Sequence, residues 1–489
     1  MSSHHTDTRR QGFALALICI AQFMVVLDFS IVNIALPFMQ KDLGLSTANL
    51  QWIVSAYALT FGGFLLLGGR MGDLYGRRKL FMAGLFVFSL ASLSGGLALS
   101  GTMLIVSRAI QGVGAAMVAP TAIALVSTTF PEGPARNKAF GMVGAISSLG
   151  FAAGAIFGGL LTAGPGWRWV MFVNVPIGLV TLVLIPRLLT ESQNQNKQRR
   201  VDVLGAILVT AGLIALVYTL SQGNSSGWLS LQTIGLFVLS VVLLVAFVIV
   251  EQRSSSPLVR LGIFRLRNVT GANLINLITP GVMGSVIFVL TLFMQEVMGF
   301  NAIQMGAAFL PIALMILLIS NISSRLIGRL GAKTLLVGGL GIAIVGLFLF
   351  LRISVHGSYV ATMLPAFLVV GLGMGFAFPT IMITATAGVE DHEQGLAAGL
   401  FNTTQEAGAG LVLAIATAIS TGKTATLMHS GETAKAALTG GFLSALAVCA
   451  VFELVALLIA IFVIRSRAIS ITPPILEPDE EQPMPQPVV

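Results

Sequence analysis

Four ionisable side chains stand inside long apolar runs of this 489-residue chain: Asp28, Arg108, Glu406 and Glu453. At a helix centre in a bilayer each would cost about 2.5–3.5 kcal/mol on insertion scales, so each is expected to face protein or water rather than lipid. Asp28 and Arg108 lie at similar distances from the outer ends of their runs. At 1.5 Å per residue both sit roughly 10 Å below the same surface, so depth permits them to pair. Proton carriage requires a carboxylate that is ionised in one state and neutral in another. Dry surroundings favour the neutral acid and a neighbouring Arg favours the anion. Asp28 is the first candidate for carrying or sensing a proton, with Arg108 tuning it; the plain alternative is a static ion pair joining two helices. Glu406 is the second, with Asn402 one turn earlier on the same helical face. Glu453 stands alone among Val451, Phe452, Leu454 and Val455.

The elements that must hold these groups follow from composition. The chain is 56% hydrophobic and only 9% charged, with mean hydropathy +0.93. A soluble protein carries about a quarter charged residues, so an all-α polytopic membrane protein is expected. The net charge of +8 would suggest nucleic acid in a soluble chain. Here the cations fall in short loops, and no nucleic-acid partner is expected. Fourteen runs are long enough to cross a core of roughly 30 Å: 13–36, 52–68, 80–99, 102–126, 139–162, 169–186, 203–220, 231–250, 269–294, 303–323, 335–351, 362–384, 395–419 and 441–464. The basic stretch 69–79 reads as a cytoplasmic turn, tightened by Gly69 and Gly76. Of 27 Lys and Arg, 21 fall on that side, five on the other, and Arg108 lies within a span. Both termini are therefore expected in the cytoplasm, with the spans in a bacterial cytoplasmic (inner) membrane. Cys19 and Cys449 each sit in an apolar run, so no disulfide is expected. No cleavable signal peptide is expected, and the Pro-rich tail 468–489 should be disordered.

The halves echo one another. Gly112-Val113-Gly114 followed by Ala119-Pro120-Thr121 returns as Gly371-Leu372-Gly373 followed by Phe378-Pro379-Thr380. The basic turn returns weakly around 325–333, with Gly331 where Gly76 would fall. The economical division is a cytoplasmic tail (1–12), a six-helix bundle (13–186), a linker with an inserted helix pair (187–268), and a second six-helix bundle (269–467) before the tail. Repeated bundles that rock about a site at their interface are a common transporter plan.

These features resemble the fourteen-span drug–proton antiporters of the major facilitator superfamily. Leu27-Asp28-Phe29-Ser30-Ile31-Val32-Asn33 resembles that family's first-span signature, and the 69–79 stretch its loop between spans two and three. Arg108, Gln111, Gly112 and Gly114 match its fourth-span motif. Gly150, Gly154, Gly158 and Gly159, with Gly141, match its fifth-span antiporter motif. Trp167-Arg168-Trp169 with Asn174-Val175-Pro176 resembles the start of its sixth span. Two positions depart from the pattern: Ala155 stands where proline is usual, and Leu74 where a basic residue is usual.

The resemblance implies a major-facilitator fold and export of amphipathic, cationic compounds in exchange for protons, by a monomer without a cofactor. Asn33, Gln111, Asn276, Thr279 and Thr384 place sparse polar groups in spans expected to line the substrate cavity. Asp73, Arg77 and Arg78 are expected to latch a gate on the cytoplasmic side. Small residues every fourth position in span five make a close-packing seam, to which the resemblance adds a coupling role. No GxxxxGK[ST] loop, metal-ligand cluster or soluble catalytic domain is evident, so ATP drive and enzymatic chemistry are not expected. An uncoupled facilitator and a dedicated exporter of one metabolite or antibiotic are the rival readings.

Overall fold

The structure, a computed structural model, describes residues 2–130, 134–191, 202–254, 257, 261–387, 389 and 394–465. The expected disorder of the tail after 465, and most of the polar linker, lie outside these. Among the described residues every regular element is helical. The first bundle comprises α1 (Ser2–Leu43), α2 (Thr47–Tyr75), α3 (Arg77–Gly96), α4 (Gly101–Thr129), α5 (Pro134–Ala163), and a sixth span broken into α6 (Arg168–Phe172) and α7 (Asn174–Leu188). The pair α8 (Val203–Ser226) and α9 (Leu231–Arg253) follows. The second bundle comprises α10 (Arg267–Leu292), α11 (Ala302–Leu330), α12 (Ala332–Phe350), α13 (Leu364–Thr386), α14 (Gln394–His429) and α15 (Ala434–Phe462). Among the described residues twelve helices have the length and apolarity of a bilayer span. The other two expected spans fall on α2 and α5, which are 29 and 30 residues long.

The basic stretch is not the loop that its charge suggests. Helix α2 continues through Gly69 to Tyr75, and Gly76 alone separates it from Arg77 at the start of α3. Gly76 has φ 108°, a conformation open to glycine and strained for other residues, so one residue makes the turn. Gly69 plays no part in it; it lies within α2, where an added methyl would meet the Pro120 ring of α4 at 3.4 Å. Between α11 and α12, Gly331 does the same with φ 79°. The echo extends to packing. A methyl on Gly84 of α3 would lie 2.9 Å from the Gly114 carbonyl of α4, and one on Gly339 of α12 would lie 2.8 Å from the Gly373 carbonyl of α13. The sequence repeat is thus a repeat of glycine-mediated helix crossings.

Burial is distributed unequally along the membrane normal. On the face opposite the basic turns, one continuous apolar core joins the bundles, including Ile31, Leu36 and Ile53 of the first and Val286, Phe293 and Phe367 of the second. Toward the basic turns, Phe81, Phe88 and Val118 belong to a core within the first bundle and Leu340, Ile381 and Ala456 to one within the second, while Leu67 of α2 still packs with Val269 of α10 and with Ala397 and Leu400 of α14. Helices α2 and α14 bridge the bundles along one side. There α8 lies over them, with Val217 packed against Ala56, Leu59 and Ala414. Helix α9 turns Val241, Val245 and Val248 outward, a surface suited to lipid.

Candidate functional site

The first bundle encloses a polar network in its apolar interior. Asp28 of α1 and Arg108 of α4 are both at most 1% exposed, and Arg108 Nη1 donates to Asp28 Oδ2 at 2.5 Å. The other carboxylate oxygen accepts from Gln111 Nε2 at 2.8 Å and from Asn174 Nδ2 at 2.7 Å. Both amides also donate to Ser92 Oγ of α3, at 2.8 and 2.9 Å. Arg108 Nη1 donates to Gln111 Oε1 at 2.6 Å, and its Nε donates to the Ile53 carbonyl of α2 at 3.0 Å. The guanidinium lies 4.3 Å from the centre of the Tyr57 ring, a favourable cation–π arrangement.

Each helix is placed by its local sequence. Ser100 caps α4 by accepting from the Met103 backbone N–H, which starts the helix two turns before Arg108. The break at Val173 begins α7 at Asn174. Gly112 of α4 lets α2 approach so closely that an added methyl would lie 2.2 Å from Thr60 Oγ1. With three donors on its carboxylate, Asp28 is satisfied as the anion. A buried pair of this kind tolerates the loss of one partner poorly, because the other is left as an uncompensated charge.

Asn174, Ser92 and Tyr57 belong to this network, and none is among the candidate site residues that the sequence points to. The signal for Asn174 is its place at the start of the sixth span. Ser92 and Tyr57 carry none, because their roles come from helices that meet only in the fold.

Glu406 lies in the second bundle, on the face of α14 that meets α2. A methyl on Gly62 would lie 2.5 Å from Glu406 Cβ, and Thr403 Oγ1 donates to the Gly62 carbonyl at 3.2 Å. Glu406 is 8% exposed, and its Oε2 has no hydrogen-bond partner. Tyr57, whose buried hydroxyl also lacks a partner, is within electrostatic reach of Asp28, Arg108 and Glu406. Glu453 of α15 is fully buried and accepts from Thr279 Oγ1 of α10 at 3.3 Å.

Of the residues expected to line the cavity, Gln111 is bonded into the Asp28–Arg108 network. Asn33 donates to the Phe29 carbonyl at 2.8 Å, and Asn276 donates to the Phe401 carbonyl at 2.6 Å. Thr279 turns to Glu453, and Thr384 donates to the Thr380 carbonyl of its own helix. The four other than Gln111 are thus bonded within their own bundles.

For the expected gate, the side chain of Asp73 lies outside the described residues. Arg78 turns to the segment after α7: Nη1 donates to the Leu189 carbonyl at 3.1 Å, and Nε lies 3.7 Å from Glu191 Oε2. Glu191 also accepts from the backbone N–H groups of Arg78 and Lys79, at 3.1 and 3.2 Å. It caps α3 where three cations sit at the positive end of a helix dipole, an arrangement that needs a counter-charge. Arg77 is half-buried at the first position of the same helix.

In the glycine motif, Gly150, Gly154 and Gly158 face α1. Added methyls would lie 3.2 Å from the Phe23 carbonyl, 2.4 Å from Ser30 Cβ and 3.0 Å from the Ile31 carbonyl. Gly159 faces the other bundle, 2.7 Å by the same measure from the Ala302 carbonyl of α11.

Comparison with known proteins places this architecture. The chain is 41% identical over 454 residues to the puromycin resistance protein pur8 of Streptomyces alboniger, covering 92% of this chain and 90% of that one. It is 39% identical to the cephamycin export protein CmcT of Amycolatopsis lactamdurans, covering 82% and 83%. It is 32% identical to the tetracenomycin C resistance and export protein of Streptomyces glaucescens, covering 82% and 74%. Among solved structures, an auto-inhibited POT family peptide transporter shares the fold with TM-score 0.68 at 16% identity, covering 93% and 98%. An inward-facing bacterial homologue of the lysosomal transporter Spinster gives 0.62 at 14%, covering 92% and 96%. The Major Facilitator Superfamily profile matches residues 18–413, and the chain belongs to that superfamily.

Proposed function

We propose that this protein is a secondary transporter that exports amphipathic, cationic drugs or toxic compounds in exchange for protons by alternating access. The observation that carries the reading is the Asp28–Arg108 pair, buried in one bundle with both carboxylate oxygens hydrogen-bonded. Three donors on a carboxylate favour the anion, so it takes a proton more readily once those donors withdraw. Protonation of Asp28 is therefore tied to movement of Arg108, and through it to α2, whose Ile53 carbonyl Arg108 also holds. Helix α2 is one of the helices that bridge the bundles, so the coupling has a mechanical outlet. Glu406, buried on the other half of that bridge, is the second candidate for recognising a proton or a cation. The apolar core that joins the bundles opposite the basic turns closes that face, as one state of alternating access requires.

Purified protein in liposomes, given a cationic dye and an imposed pH gradient, tests the reading. Each pH unit supplies about 1.4 kcal/mol per proton. Coupled export accumulates dye against its own gradient, and the accumulation collapses when the pH gradient is dissipated. Dye that only equilibrates, whatever the pH gradient, overturns antiport in favour of a facilitator. A narrower reading, export of a single antibiotic, is favoured by the names of pur8, CmcT and the tetracenomycin C protein. Competition of puromycin, a cephamycin and unrelated dyes for the same uptake separates one substrate from many.

A further inference from the structure

The α2–α14 seam contains polar groups that the Asp28 network does not use. Gln51 and Ser55 of α2 are fully buried, and neither the Gln51 amide nor the Ser55 hydroxyl meets a hydrogen-bond partner. Thr417 of α14 is 2% exposed and its hydroxyl is equally unpartnered. Buried polar groups are ordinarily paired, so several along one seam call for an explanation.

Helical register brings them together. Gly62 meets Glu406, and Leu59 meets Gly410, which fixes α2 and α14 as antiparallel neighbours. Gln51 lies eleven residues before Gly62, and Thr417 eleven after Glu406. Eleven residues are close to three turns, so both return to the mating faces, opposite one another. Ser55 lies one turn from Gln51 on the same face. The helices are still in contact at this level, where Trp52 and Ala56 share an apolar cluster with Ala414. Helix α8 covers the flank, with Val217 in that cluster and Tyr218 against Trp52. The polar rungs are thus shut off on that side and lead along the bridge to the unpartnered Oε2 of Glu406.

We propose that the α2–α14 seam is the proton path to Glu406, with Gln51, Ser55 and Thr417 holding the waters that carry the proton from the face opposite the basic turns. The inference rests on Glu406 as a titrating group. Delivery is balanced: a hydronium gives up a proton at the outer end of the chain of waters, each water passes one on, and an O–H bond forms on the Glu406 carboxylate. The amide and hydroxyls both donate and accept, as such a chain requires.

The test uses the full-length protein in liposomes. The Gln51→Leu/Thr417→Val double variant is expected to slow proton-driven dye transport about tenfold, the effect of about 1.4 kcal/mol on a barrier. Dye binding and dye–dye exchange, which need no net proton flow, should stay as in the parent and show that the variant is folded. Proton-driven transport unchanged in the double variant, with Glu406→Gln defective, overturns the path alone. Full proton-driven transport in Glu406→Gln overturns the reading of Glu406 and the path with it. If the double variant loses exchange as well, Ser55→Cys in a Cys19→Ala/Cys449→Ala background decides. Inhibition of transport by silver ions added at the face opposite the basic turns supports the path, and indifference to silver overturns it.

Discussion

Arg108 and Asp28 brace α1 against α4, and the proposed coupling makes the same ion pair a switch. The carboxylate accepts from Arg108, Gln111 and Asn174, so truncating Arg108 leaves a buried anion with only two neutral donors. Arg108→Leu is expected to destabilise the folded protein by about 3–5 kcal/mol, measured by thermal unfolding in detergent. Asp28→Asn/Arg108→Leu, which leaves no charge behind, should recover most of that loss. Additive losses in the double variant would show that the pair is not coupled. Asp28→Asn alone removes the carboxylate proposed to carry the proton while keeping its size and a neutral acceptor. It should bind dye and exchange dye for dye, yet fail to accumulate dye against a gradient. Full proton-driven accumulation in Asp28→Asn would leave the pair as a brace and nothing more.

Helix contacts carry the next level. The glycines of α5 lie along α1 at the height of Asp28, and a methyl at Gly154 would already overlap Ser30. Gly154→Leu is expected to push α5 off α1 and to cost about 1–3 kcal/mol through overpacking, read as a lower unfolding temperature. Gly12, where an added methyl meets nothing within 4 Å, is the control: Gly12→Leu should leave that temperature unchanged. At the basic turn, Glu191→Ala removes the acceptor for two backbone N–H groups and should cost about 1 kcal/mol, as other lost helix caps do. What is legible in sequence divides along the same line. Asp28, Arg108 and the paired glycines Gly76 and Gly331 can be read because a charge in an apolar run, or a glycine repeated in register, marks itself locally. Glu191 cannot, because its partners lie more than a hundred residues away and the residue itself sits in an ordinary polar linker. Tyr57 and Ser92 are hidden for the same reason, each being an unremarkable member of an apolar helix until α4 and α7 come to rest against it. The extent of the basic turn differs from its sequence reading because charge marks where a chain leaves the membrane, not where its helix ends.

At the scale of the whole molecule, the apolar core that joins the bundles opposite the basic turns must come apart if the proposed alternating access is to open that face. Gly159 sits at the joint between the bundles, close under the first turn of α11, whereas its motif partners face α1. A larger residue there acts as a wedge at one end of the rocking axis while leaving each bundle's own packing intact. Gly159→Leu is therefore expected to shift the population toward the state open opposite the basic turns. Leu36 is fully buried in the shared core, which makes Leu36→Cys a reporter for that opening in a background lacking Cys19 and Cys449. With Gly159 in place, the thiol introduced by Leu36→Cys should resist a membrane-impermeant thiol reagent applied at the face opposite the basic turns. With Gly159→Leu added, that thiol should react several times faster, and dye should bind more readily from that face. Equal protection of the thiol in both proteins would mean that Gly159 is a packing residue alone, and that the joint between the bundles opens somewhere other than α5 and α11.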